Sequence, residues 1–452
     1  MLTSAEIQKM YNEKFVTLDE AVSHIKDGDR ISVGLGGGVF KDLDEALSKR
    51  VNELKNLELV SLITFPDHVY KTFSESKGIE HARFASTQYT GYDRIMADAG
   101  CSWYIPMMFR ELPSFWDIPG NQFDAVMIQA RPMDRNGNFN LGPWVGDIYS
   151  AIRNSKMVIL EINENLPYCH GIRNYVNIQD VDYIAQGTNP QVTELLSKPF
   201  GDLERQIANH IVPLIKDGSV LQLGVGALPN CIGSLLCESD VKDLSCYTEM
   251  FVDAFVDLYE AGKITGNNSA VDGKMVFTFA GGSRRMYDFL DNNQMACAAP
   301  VDFVNDIERI ASMDRFVSVN GCLQVDIFGQ VAAETIGAKH FSGTGGQMDF
   351  VQGAYKSHEG QSFIAVSSTR KLKDGRLISN IIPTLPQGTI VTTPRSATHY
   401  VATEYGAVNL KGKTTRQRAE LLISIAHPDF REELIQAAER MGLWSSSKFT
   451  SL

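Results

Sequence analysis

The sequence lacks the marks of several large functional classes. Its seven cysteines, at 101, 169, 231, 237, 246, 297 and 322, form no C-x-x-C pair and no zinc-like group with histidine. The nine histidines include no H-x-x-x-H, so metal catalysis has no support. No G-x-S-x-G elbow of the serine hydrolases occurs. No apolar run approaches the roughly 18 residues that a membrane span needs. The opening MLTSAEIQKMYNEKF is polar and helix-like, unlike a charged segment leading into an apolar one. Clusters of Lys and Arg are also missing, and the formal charge is -12, which argues against a nucleic-acid partner because phosphate contacts need basic residues on one face. The expectation is a reduced, cytoplasmic protein with no metal, membrane or nucleic-acid partner.

What is present is an ordinary globular composition, 44% apolar and 21% charged, over 452 residues. That length allows two or three domains. An internal repeat divides it. HIKDGDRISVGLGGGVFKDLDEAL near the start is echoed by LIKDGSVLQLGVGALPNCIGSLL from Leu214. Ile25, Lys26, Asp27, Gly28, Gly34 and Gly36 recur as Ile215, Lys216, Asp217, Gly218, Gly224 and Gly226, at a constant offset. Each copy reads as an amphipathic helix stopped at a Lys-Asp-Gly turn, a short apolar strand, a glycine-rich turn and a second helix. FDAVMIQA, KMVILEIN, FVSVN and SFIAVSS are apolar runs of the length of strands buried on both faces. Helical stretches such as ERQIANHIVPLI and the closing TRQRAELLISIAHPDFREELIQAAERMG alternate with them. The fold class expected is α/β, as two tandem similar domains with mostly parallel sheets, residues 1–190 and 200–430, joined near TNPQVTELLSKPFGD. The final SSSKFTSL reads as a frayed tail.

Ligands of open α/β sheets sit at the carboxyl ends of the strands, where glycine turns and helix N-termini present N–H groups to anions. GVGALP, residues 224–229, fits that role. A dinucleotide enzyme is the rival, but the third glycine of G-x-G-x-x-G falls on Val39 in one copy and Pro229 in the other.

Five further segments carry candidate chemistry. YTEM places Glu249 at the end of an apparent strand and before a helix; it is either a reactive carboxylate or a helix-cap neighbour. SGTGGQMDFVQGA, residues 342–354, combines four glycines with packed apolar residues, as a backbone approaching a ligand would. VSVNGCLQVDIFGQV contains Asn320-Gly321, either a hairpin turn or an amide aimed at an oxyanion. TEYGAVNLKGK puts Glu404 after another apolar strand. STRKLKDG offers Lys371 and Lys373, either a solvated turn or a ligand contact.

Taken in order, GVGALP, YTEM, VNGCLQVDIFGQV, SGTGGQMDFVQGA, STRKLKDG and TEYGAVNLKGK, followed by RAELLISIAHPDFRE, resemble the class I coenzyme A transferases. The branch is the acetyl-CoA hydrolase/transferase family, which contains 4-hydroxybutyrate and butyryl-CoA:acetate CoA-transferases, and the resemblance runs through nearly the whole chain. It implies two similar α/β domains and a glutamate nucleophile, matched by Glu249, that becomes a glutamyl-CoA thioester. Asn320 and the N–H of Gly346 match oxyanion donors. Gly224, Val225, Gly226, Ala227 and Leu228, with Gly346, match the coenzyme A site. Lys371 or Lys373 matches a lysine near the coenzyme, and Glu404 a second active-site carboxylate. Nothing catalytic carries over to GLGGGVF.

The implied activity is transfer of coenzyme A from acetyl-CoA or a C4 acyl-CoA to a short carboxylate such as butyrate, 4-hydroxybutyrate, succinate or itaconate. Coenzyme A would be a co-substrate, with no cofactor tightly bound, and the enzyme a homo-oligomer. Hydrolysis of acyl-CoA by the same glutamate and a non-catalytic CoA-binding regulator are the alternatives.

Overall fold

The computed structural model describes residues 2–65 and 70–444, so SSSKFTSL lies outside the described residues. Its contacts group into two compact units. The first holds residues 1–196, 247–253 and 270–306; the second holds 197–246, 254–269 and 307–452.

In the first unit eight strands run parallel, in the order Phe15–Val16, Tyr183–Gln186, Val158–Ile162, Ala125–Ala130, Arg30–Ser32, Leu57–Ser61, Ala82–Ser86 and Ser102–Tyr104. Ala125–Ala130 and Val158–Ile162 are buried at every position. Cover on both faces is why these strands read as near-continuous apolar runs, interrupted only by Gln129 and Glu161, and not as alternation. A fully buried Val or Leu contributes about 1.5–3 kcal/mol over leaving it in water. Tyr247–Phe251 pairs with Met275–Ala280, which pairs with Ala296–Ala298, again parallel.

In the second unit Val220–Leu223 pairs in parallel with Ser245 and Cys246 on one side and with Phe316–Gly321 on the other. Gln361–Ala365 and Tyr400–Thr403 extend the parallel ladder, and Gly406–Asn409 closes it antiparallel. A core of Val325, Ile364, Val401, Leu422 and Leu434 packs the closing helices against it. Those helices are two, Thr415–Ser424 and Pro428–Arg440, because Pro428 cannot continue the first and is well placed to start the second.

Both copies of the repeat show the expected order. Helix Leu18–Ser23 leads to strand Arg30–Ser32, and helix Asp202–Ile211 leads to strand Val220–Leu223. The second helices differ. Ala227–Glu238 begins directly after Gly226, whereas Asp42–Arg50 follows a short 3-10 turn at Gly36–Gly38. No helix among the described residues is long and apolar enough to cross a membrane.

Candidate active site

Glu249 lies in the first unit, on strand Ser245–Phe251. The strand runs two residues past it, because Met250 and Phe251 pair with Phe279 and Ala280. The reading of Glu249 as a strand end is corrected on that account, and helix Asp253–Glu260 begins only after Val252. Its neighbours Thr248 and Met250 are buried while Glu249 is half-buried, so the carboxylate is held by a rigid strand and still meets solvent. Asn305 Nδ2 donates to its Oε2 at 2.6 Å. A charge-assisted bond of that length orients the carboxylate.

The other candidates belong to the second unit, where parallel strands end side by side. Leu223 pairs with Val319, Asn320 with Ile364 and Ala365 with Ala402. Their carboxyl ends therefore bring the 224–228 turn, Asn320 and Glu404 to one edge. Asn320 and Gly321 complete a strand parallel to Gln361–Ala365, so the hairpin reading of Asn-Gly is overturned: the residues that would fold back are paired instead with Ile364 and Ala365, far along the chain.

Asn320 Nδ2 donates to Gln222 Oε1 at 3.3 Å, and Gln222 is itself buried. That bond leaves one amide hydrogen of Asn320 for a ligand. Gly346 is the N-cap of helix Gln347–Lys356, so the glycine loop ends there and MDFVQGA is helical. Gln347 ties this loop to the strand end, since its Nε2 donates to Gly321 O at 2.9 Å while its Oε1 accepts from Thr393 Oγ1 at 2.9 Å. Glu404 follows strand Tyr400–Thr403, and Ser368 N and Oγ donate to its carboxylate at 2.9 and 2.5 Å. Lys371 is exposed in the hairpin of Thr369–Lys371 with Leu377–Ser379, and Lys373 is exposed in its turn.

Helix Ala227–Glu238 has no side-chain cap, and Gly226 takes φ 130°, a conformation open to glycine. The N–H groups of Ala227 and Leu228 have no acceptor within the helix, Pro229 has no N–H, and Val225 at the tip of the turn is exposed. In the first copy of the repeat the start of the second helix is met from within. Glu161 accepts from Lys41 N at 3.1 Å and Leu43 N at 2.8 Å, at the start of helix Asp42–Arg50, and from Gln129 Nε2 at 2.5 Å. Trp144 covers the glycines: a Cβ on Gly37 would lie 2.3 Å from its ring. The glycine turn of the first copy is thus packed into the core.

Burial pushes the Glu161 carboxyl up to about 7, against the pull of its N–H donors. The folded protein therefore holds a proton there that an unfolded glutamate, at 4.5, has released. Stability on this account falls as pH rises from 4.5 to 7 and is level above that. Glu161→Gln is expected to remove about 2 kcal/mol of this pH dependence, read from urea unfolding at pH 5 and 7.5. Parallel pH profiles for the two proteins would show that Glu161 does not titrate in that window.

Sequence reasoning did not find Asn305, Gln222, Gln347 or Ser368. Gln222 left a trace, as a polar residue inside the apolar run VLQLG. The others gain meaning only from what they touch.

Residues 1–195 match the acetyl-CoA hydrolase/transferase N-terminal domain and residues 282–438 the C-terminal domain of the same family. The chain belongs to the acetyl-CoA hydrolase/transferase family. A butyryl-CoA:acetate CoA-transferase of Anaerostipes caccae is 42% identical, over 97% of this chain and 98% of that one. A 4-hydroxybutyrate coenzyme A transferase of Clostridium kluyveri is 38% identical, over 95% and 98%. Among solved structures, RipA of Yersinia pestis superimposes with a TM-score of 0.87 at 33% identity, covering 97% of this chain and all of that one. Within the family the mixed α/β architecture with large parallel sheets is thus shared along almost the full length.

Proposed function

We propose that this CoA-transferase moves coenzyme A from acetyl-CoA or a C4 acyl-CoA to a short-chain carboxylate, such as butyrate, 4-hydroxybutyrate, succinate or itaconate, through a glutamyl-CoA thioester on Glu249. The observation that carries the reading is the Glu249 carboxylate, half-exposed on a rigid strand and oriented by a buried amide, in a chain of this family. Glu249 attacks the acyl-CoA carbonyl, giving a mixed anhydride and a thiolate. The thiolate attacks the glutamyl carbonyl and frees the first acid. An acceptor carboxylate then runs the two steps backwards, which is a ping-pong cycle.

A carboxylate suits this exchange because donor, acceptor and nucleophile belong to one chemical class, so each step is near energy balance. Asn320 and the Gly346 N–H receive the oxyanion, where each donor is worth about 3 kcal/mol of barrier. Residues 224–228, Gly346 and Lys371 face the coenzyme, through N–H groups more than through charge. Glu404 is the second carboxylate of the site, and water must be kept out during turnover, or the anhydride hydrolyses. The setting is a cytoplasmic homo-oligomer of chains that each carry repeats at 1–190 and 200–430.

The covalent intermediate is the test. Incubation with acyl-CoA and no acceptor is expected to leave Glu249 as a thioester, which borohydride reduces to an alcohol, with loss of activity. Peptide mapping that finds Glu249 unmodified while transfer is under way would remove it as nucleophile. Rapid loss of acyl-CoA without any acceptor would instead identify a hydrolase.

A further inference from the structure

Asn305 belongs to none of the motifs that mark the site. It follows the short helix Val301–Val304, its N–H donates to Val301 O at 2.8 Å, and it is fully buried. A buried amide closing a helical turn has little freedom, so its direction is set before any ligand arrives. That direction is toward Glu249 Oε2, at 2.6 Å. We propose that Asn305 is a catalytic residue, the donor that stabilises negative charge on the glutamyl oxygen each time the Glu249 carbonyl carbon is attacked.

The proposal rests on Glu249 as nucleophile, and the electron count assigns the oxygens. The proposal keeps the Asn305 bond on Oε2 throughout and gives the attack on the acyl carbon to Oε1; the C–S bond breaks and the sulfur leaves with the electron pair. The thiolate then adds to Cδ of Glu249, and the Cδ=O pair moves onto Oε2. Asn305 Nδ2 already donates to that atom, so the oxyanion forms against a fixed dipole with no reorganisation. Collapse restores Cδ=Oε2, breaks Cδ–Oε1 and releases the first acid with Oε1. Attack by the acceptor carboxylate passes through an oxyanion on the same oxygen. Proton balance is neutral throughout, and a neutral amide is the fitting donor, since a carboxyl there would place two acids within one hydrogen bond of each other.

The effect is therefore located in steps at Cδ, whatever the acyl group. Asn305→Ala is expected to lower kcat about 100-fold with KM for acyl-CoA within about threefold of wild type. Preformed glutamyl-CoA is expected to be discharged by hydroxylamine more slowly by a similar factor, because hydroxylamine attacks the same carbon. Packing damage alone would reduce the amount of thioester formed and leave the rate per thioester unchanged. Asn305→Asp, nearly the same shape, is expected to move the acid limb of the kcat/KM profile up by about one pH unit or more. Hydroxylamine discharge of the Ala variant within threefold of wild type overturns the proposal, and so does an unmoved acid limb in the Asp variant if the Ala variant does not fold. Should wild type itself form no hydroxylamine-sensitive thioester, the nucleophile assignment falls and this inference with it; if wild type forms one and Asn305→Ala discharges it normally, Asn305 alone is excluded.

Discussion

Glu249→Ala is expected to lose transfer by about 10,000-fold or more, and Glu249→Asp to retain on the order of 1%. On the proposed mechanism the Ala variant lacks the carboxylate whose oxygen takes the acyl group and whose Cδ takes the coenzyme sulfur, and no neighbouring acid can replace it without the same strand to hold it. The Asp variant keeps the chemistry but withdraws the oxygen by about 1 Å, a displacement that costs on the order of 100-fold when a near-attack geometry is lost. Neither change should unfold the protein. The strand is held by backbone pairing of Thr248 with Phe277 and Met250 with Phe279, on either side of a side chain that is only half-buried. Steady-state transfer from acetyl-CoA to a panel of carboxylates, with circular dichroism for the fold, decides it. Turnover of the Ala variant near the wild-type rate would end the covalent mechanism.

How far the chain could be read in advance depended on whether the signal was local. Doubly buried strands announce themselves, and AVMIQA, VILEI and FVSVN lie where apolar runs place them. The repeat was equally legible, because two sets of residues had to keep one glycine turn between strand and helix. Asn320-Gly321 shows the opposite case. Its dipeptide has a strong local turn preference, yet the partner that decides its conformation is Ile364-Ala365, and tertiary pairing wins. The YTEM motif marks Glu249 as a candidate, but the two residues of strand beyond it are set by Phe279 and Ala280, again remote in sequence. Gln347 and Ser368 were invisible for a further reason. A glutamine or serine in a polar stretch becomes a structural tie only when Gly321 O or the Glu404 carboxylate comes within hydrogen-bond reach.

Gly224→Val offers the sharpest separation between fold and binding, and its expected cost is about 1,000-fold in kcat/KM for acyl-CoA. Among the described residues nothing lies within 4 Å of the position a Cβ would take on Gly224, so the first atom of the new side chain meets open space in the free protein. Gly226 is also open, but its φ of 130° would strain any other residue, and a loss there would mix backbone strain with ligand contact. At Gly224 the thermal midpoint should stay within about 2 °C of wild type, as expected of a substitution that touches neither core nor cap. If the 224–228 turn lies against the coenzyme, the added methyl groups occupy the ligand's space. Overpacking of that kind costs about 1–3 kcal/mol in affinity. Tilting the thioester away from its attacking carboxylate costs a further factor on the order of 100. The measurement is acyl-CoA kinetics beside a melting curve. A Gly224→Val enzyme with wild-type stability and unchanged KM and kcat would place the coenzyme elsewhere and leave the uncapped start of helix Ala227–Glu238 without its ligand.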